Sequence, residues 1–205
     1  MGRPIRLTDS DNANRQMRLV RTPIPGLVEI HNDASRDDRG SFRRLFDAEA
    51  FAENGLLSSP VHVNVSDNAK AGTLRGMHYQ AEPLADRKVV TCLRGSVFDV
   101  VVDLRQASPA FLQWHGVTLS EHNGVGLDVP EHCAHGFITL EDSTTVHYLM
   151  SVPYMPDLAE GVRWNDPSIG IEWPIRPTVI SKGDAEFPNL SPTIWEAGNR
   201  KGGTS

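Results

Sequence analysis

Cysteine is scarce. Cys92 and Cys133 are the only two among 205 residues, and they have neither CxxC spacing nor a secretory leader ahead of them. That leaves little basis for a disulfide framework or a cysteine zinc site, and both are expected to be reduced, partly buried thiols. Long apolar runs are also missing. None approaches the ~18 residues of a membrane span, and the opening MGRPIRLTDSDNANRQ is too polar for the core of a signal peptide, so the expectation is a soluble, cytoplasmic protein. Positive charge is in deficit: 20 Lys and Arg face 26 Asp and Glu, a net charge of -6. An extended nucleic-acid or anionic-membrane surface is thereby disfavoured, and any anion site must be a local cluster. There is no internal repeat, no heptad, no low-complexity block and no alternation of strands with long helices.

What is present is a chain with 39% hydrophobic residues, long enough to bury one substantial core. We expect a single domain over 1–205, with its core at about 20–190 and polar tails over the first ~16 and last ~10 residues. DAEAFAENG (47–55) predicts one short helix, with Asp47 as N-cap and Gly55 as the stop. From Val61 onward, short runs rich in Val, Thr, Leu and Phe are punctuated by Gly, Pro, Asn and Asp, the rhythm of an all-β sandwich or barrel. KVVTCLRGSVFDVVVDLR (88–105) predicts a hairpin at Arg94-Gly95, with Phe98, Val100 and Val102 on one face of its second strand and Val97, Asp99, Val101 and Asp103 on the other. GVTLSEHNGVGLDVP (116–130) predicts a second turn at Asn123-Gly124. TTVHYLMS (144–151) places Val146, Tyr148 and Met150 on one face. The fold these patterns predict is an antiparallel jelly roll.

Several residues in this frame could carry chemistry. His78, in TLRGMHYQ (73–80), is either a proton-transfer group or a hydrogen-bonded structural histidine. Gly76 beside it points to a bulge or a close backbone approach, and strict alternation puts Arg75 and His78 on opposite faces unless Gly76 breaks the pleat. In DVPEHCAHGF (128–137), His135 either rims a tight corner or points at a ligand. Tyr148 and Tyr154 either pack or offer a phenol. Asp184, in ISKGD, either orients a histidine or caps a loop.

The joint pattern is more specific than any member. DDRGSF, HVNVS, TLRGMHYQ, RKVVTCLRGSVFDVVVDLRQASP, VPEHCAHGF, VHYLMSVPYMP, WNDPSIGIEWP and SKGD occur in the order and spacing of the dTDP-4-dehydrorhamnose 3,5-epimerase family, which the chain resembles from about Pro23 to Leu190. The resemblance implies a cupin-type jelly roll with one or a few short helices, usually a homodimer, acting on a nucleotide-linked 4-keto-6-deoxyhexose with no metal or organic cofactor. It implies His78 as the base, Asp184 holding its ring, Tyr148 as proton donor on the opposite face and Lys88 against the charge that develops on the ketone oxygen. Arg39, Arg75 and His135 match substrate-binding positions, Asn64 and Phe42 match further contacts, and Tyr154 matches a residue that stacks on the base. Phe42 reads equally as core packing.

Five positions depart from the pattern. Arg44 stands where a glutamate usually contacts the nucleotide, exchanging an acceptor for a donor; this leaves a CDP or other carrier open beside dTDP. His62 stands where glutamine is usual, next to the Asn64 contact. Gly183 replaces a basic residue, with Lys182 one place away. One extra residue separates Tyr154 from Glu160, a further substrate-contact position, and His132 replaces a turn glycine. Inversion at C3 and C5, inversion at one carbon only, and sugar-nucleotide binding without turnover are the readings carried forward. A metal-dependent cupin would need a ligand two residues after His78, where Gln80 stands.

Overall fold

The computed structural model describes residues 17–190; the two polar tails read from the sequence lie outside the described residues. Strands β1 (Met17–Arg21) and β2 (Val28–Asn32) precede a small hairpin of β3 (Ser35–Asp37) and β4 (Gly40–Phe42), then helix α1 (Ala48–Glu53). Eight strands follow: β5 (His62–Asn68), β6 (Thr73–Gln80), β7 (Lys88–Arg94), β8 (Ser96–Asp103), β9 (Trp114–Ser120), β10 (Val125–Val129), β11 (Cys133–Thr139) and β12 (Thr144–Met150). Short strands β13 (Ala159–Gly161) and β14 (Val179–Ile180) and helix α2 (Lys182–Glu186) complete the described part.

One sheet has the order β1-β2-β10-β7-β12-β5; the other runs β13-β6-β11-β8-β9, with β14 beside β6. All these pairings are antiparallel except that of β14. This is the all-β jelly roll that the strand rhythm predicts. Val90, Val125 and Leu127 of the first sheet meet Val97, Val101 and Phe137 of the second in the core between them. Phe51 of α1 covers the outer side of the first sheet with Leu19, Ile30, Val89 and Leu149. On the outer side of the second sheet, Met77, Val100, Val102 and Ala134 pack with Ile169 and Trp173. Strand β8 is thus buried on both faces, which is why its sequence shows no polar side. Cys92 and Cys133 are free and buried rather than partly exposed, and burial pushes their thiols up to about 11 and about 12. Helix α1 is capped as its sequence predicts: the Asp47 side chain accepts from Ala50 N–H at 3.1 Å, and Gly55 adopts φ +68°.

The two predicted hairpins need correction. Gly95 and Gly124 do turn the chain, with φ +72° and +65°, and the Asn123 side chain accepts from the N–H groups of Ser120 and Val125. Yet β7 and β8 lie in different sheets, as do β9 and β10. The turn chemistry was legible, but pairing follows burial: β7 is flanked by β10 and β12, and β8 by β11 and β9, so neither has a free edge for the other.

The pleat of β6 breaks at Gly76. His78 lies opposite His135 on β11, yet Arg75 lies opposite Phe137, so β6 carries one more residue than its partner across this interval. Gly76 adopts φ +132°, and a Cβ there would sit 2.6 Å from the Cα of Gly136. A Cβ on Gly136 would in turn meet Arg75 O at 2.8 Å. The extra residue returns Arg75 and His78 to one face. Gly76→Ala is expected to lower stability in urea unfolding by about 1–3 kcal/mol, the cost of overpacking a closed contact.

Candidate active site

The face of β6 that bears Arg75 and His78 looks into the space between the sheets. His135 opposite His78 alternates with Cys133 and Phe137, both in the inter-sheet core. Tyr148 packs on that same core from the facing sheet, with Asn64 on one side and Val90 on the other. Lys88 precedes Val90 by two residues on β7 and shares its face. The two walls therefore bring together His78, Arg75, His135, Tyr148, Lys88 and Asn64, which lie far apart in the chain.

His78 is held by a side chain of helix α2. Helix α2 is capped by Ser181, whose Oγ accepts from Asp184 N–H at 3.0 Å. This presents the Asp184 carboxylate, with Oδ1 2.8 Å from His78 Nε2 and Oδ2 accepting from Gly76 N–H at 3.1 Å. The bulge glycine thus also anchors the residue that orients the histidine. Burial pushes the Asp184 pKa up, but the His78 hydrogen bond and charge, with the Gly76 and Ser181 contacts, hold it below the ordinary carboxylate value. An ionised carboxylate only accepts, so Nε2 carries the proton and Nδ1 keeps the free lone pair. Phe187 sets its ring edge-on to His78 at 5.9 Å.

Each of three further groups also has a fixed partner. Lys88 Nζ lies 2.6 Å from Asp86 Oδ2, both buried; losing either partner alone from such a pair costs about 3–5 kcal/mol. His135 Nε2 lies 2.9 Å from each oxygen of the fully buried Asp99, and its ring meets Tyr148 edge-on at 6.1 Å. Arg75 Nε donates to Asn68 Oδ1 at 2.8 Å, a neutral partner. Burial, followed by the Asp99 charge, pushes the Tyr148 phenol far above its ordinary pKa, with Arg75 opposing. The hydroxyl accordingly keeps its proton at neutral pH. Asp86 and Asp99 escaped sequence reasoning. A signal for Asp99 was there: an aspartate inside VFDVVVD needs a buried partner.

The remaining expected contacts fall elsewhere. Arg39 pairs with Asp37 at 2.6 Å and Arg44 with Asp47 at 2.9 Å, while Phe42 is 71% exposed rather than packed in the core. Among the described residues, no hydrogen bond or ion pair ties this 35–47 segment to the His78 cluster. His62 and Asn64 lie on the edge strand β5, and Tyr154 follows β12 with its ring exposed. Lys182 is exposed, near Glu186 at 3.9 Å. Glu160 lies on the short strand β13. It lies opposite Tyr79, whose hydroxyl donates to it, and Tyr79 packs in the outer cluster. Its carboxylate is therefore on the far side of β6 from His78. His132 does adopt the left-handed conformation of the glycine it replaces, φ +60°, with Nε2 3.2 Å from Glu82. Among the described residues, no three His, Cys, Asp or Glu side chains converge to hold a metal ion, and no helix is long and apolar enough to cross a membrane.

Residues 21–192 match the family model described as dTDP-4-dehydrorhamnose 3,5-epimerase. The protein of that name from Sinorhizobium fredii is 43% identical over 155 residues, spanning 75% of this chain and 80% of the relative. The crystal structure of dTDP-4-dehydrorhamnose 3,5-epimerase from Bacillus anthracis with TDP and PPi bound is similar at a TM-score of 0.82 and 38% identity, covering 85% of this chain and 99% of that one. NovW, a 4-keto-6-deoxy sugar epimerase from the novobiocin biosynthetic gene cluster of Streptomyces spheroides, is similar at a TM-score of 0.84 and 34% identity, covering 93% and 96%.

The Asp184 pair implies a pH dependence. A carboxylate whose pKa is lower in the folded than in the unfolded chain contributes stability that is fully present above about pH 4 and is lost as pH falls through the folded value. The urea midpoint of the wild type should exceed that of Asp184→Asn at neutral pH, and the gap should narrow as pH falls from about 5 to about 3.

Proposed function

The chain belongs to the dTDP-4-dehydrorhamnose 3,5-epimerase family, and from that premise we propose that it inverts C3 and C5 of a dTDP-linked 4-keto-6-deoxyhexose in deoxysugar biosynthesis. The observation that carries this reading is a carboxylate-oriented imidazole on one wall of the cleft and a protonated phenol on the other. Epimerisation beside a ketone needs a base on one face of the sugar and an acid on the opposite face.

In this mechanism His78 Nδ1 takes the proton from the carbon next to C4, and the bond's electron pair moves into the ketone to give an enolate. Asp184 favours the imidazolium that results. Lys88 is the ammonium that stabilises the charge gathering on O4 in this reading. Tyr148 then delivers its proton to the opposite face of the same carbon, which inverts it, and solvent exchange restores both groups. The ketone is the electron sink at C3 and C5 alike, so one base and one acid serve both. Arg75, whose partner Asn68 is neutral, and His135 are suited to the diphosphate. Tyr154 offers an exposed ring for the base, and Asn64, His62, Arg39, Phe42, Arg44 and Lys182 remain candidate contacts. A binding module without turnover would need Arg75 and Tyr154 but not the His78, Asp184 and Tyr148 combination.

The working unit is proposed to be a homodimer. Phe42 is 71% exposed, and Val63 and Val65 on the edge strand β5 are 62% and 57% exposed, apolar surface of the kind a second copy covers. His147, one residue before Tyr148, also has a buried Nδ1 without a hydrogen-bond partner.

Incubation in D2O with the dTDP- and CDP-linked 4-keto-6-deoxyglucose should show deuterium entering C3 and C5 of the dTDP sugar by NMR, faster than with CDP. His78→Asn should lower exchange at both carbons by about 10²–10⁴-fold. Exchange with neither carrier would refute the epimerase reading, and preference for the CDP sugar would refute the carrier.

A further inference from the structure

Gln80 ends β6 two positions after His78 and is 4% exposed. A buried primary amide must find partners for its two donors and its acceptor. Its Nε2 donates to the carbonyl of Pro153 at 3.1 Å and to that of Leu84 at 2.6 Å, and its Oε1 accepts from Met155 N–H at 2.8 Å. The backbone groups on either side of Tyr154 are thus held by one carboxamide. The Tyr154 ring itself is 68% exposed, in the irregular stretch between β12 and the single turn Pro156–Leu158. Its side chain gains little from packing, and its place relative to His78 is set through its backbone.

We propose that Gln80 is the positioning residue for nucleotide recognition, fixing the loop that carries Tyr154 to the strand that carries the base. The inference rests on the reading of Tyr154 as the face on which the nucleobase stacks. An aromatic ring on an untethered loop must be ordered when the ligand binds, at a cost in conformational entropy that lowers affinity. The carboxamide removes that cost in advance. Its chemistry is specific: two backbone carbonyls need donors and one N–H needs an acceptor, a set that glutamate or methionine of similar length does not supply.

The test compares two ligands that share the phosphates but not the base. Affinities for dTDP and for inorganic pyrophosphate are measured by calorimetry on the wild-type chain, Gln80→Met, Gln80→Glu, Tyr154→Ala and the Gln80→Met/Tyr154→Ala double variant. Both Gln80 variants should weaken dTDP binding by about tenfold while changing pyrophosphate binding by less than about twofold. The double variant should bind dTDP no more weakly than Tyr154→Ala alone, because the clamp acts through that ring. Equal weakening of both ligands would assign Gln80 a general structural role and overturn the proposal. Unchanged dTDP binding in the Gln80 variants, with Tyr154→Ala still weakened, would also overturn it. Unchanged dTDP affinity in Tyr154→Ala would instead refute the stacking reading.

Discussion

Where β6 and β11 run side by side, two glycines come so close that a Cβ on Gly76 would stand 2.6 Å from the Cα of Gly136. That approach lets β6 carry an extra residue between its pairings with Phe137 and His135. Without it, alternation would send Arg75 and His78 to opposite sides of the sheet. With it, both reach the inter-sheet space that also receives Tyr148 and Lys88 from the facing wall. The same bend aims the Gly76 N–H at Asp184, so one backbone feature sets both the direction of the base and the anchor of its partner.

The cleft meets the deficit of positive charge by pairing its groups selectively. Lys88 has Asp86, His135 has Asp99 and His78 has Asp184. A buried charge such as the Lys88 ammonium is tolerable only with such a partner. Arg75 instead donates to an amide, Asn68, and that contact leaves its charge uncompensated for an anionic ligand. The partners also fix geometry. Asp184 determines which ring nitrogen of His78 is free, while Asp99 and burial together keep the Tyr148 proton in place.

The parts legible in the sequence were those governed by local chemistry. Asp47 and Gly55 bounded the helix, Gly95 and Asn123-Gly124 turned the chain, and alternation in β8 grouped the residues that share a face, Val97 with Val101 and Val100 with Val102. The question raised by Gly76 was visible too, although its answer depended on Gly136, sixty residues away in the chain. Pairing was not legible, because a tight turn looks the same whether its strands become partners or enter different sheets. Asp86, a buried partner, was indistinguishable from a solvated loop residue. Gln80 was noticed only as a missing metal ligand, since its three contacts lie on segments joined by tertiary structure. The face that Glu160 occupies was not legible for a related reason: its pairing with Tyr79 sets it.

The central claim is that base and acid stand on opposite faces of one sugar. The most direct measurement is the fate of the substrate's C3 and C5 protons in D2O with Tyr148→Phe. Removal of the donor should leave His78 able to exchange protons on the original face, so deuterium should enter with retained configuration while inverted product is lost. Inversion at the wild-type rate, or loss of exchange and inversion together in a folded variant, would contradict the two-wall account.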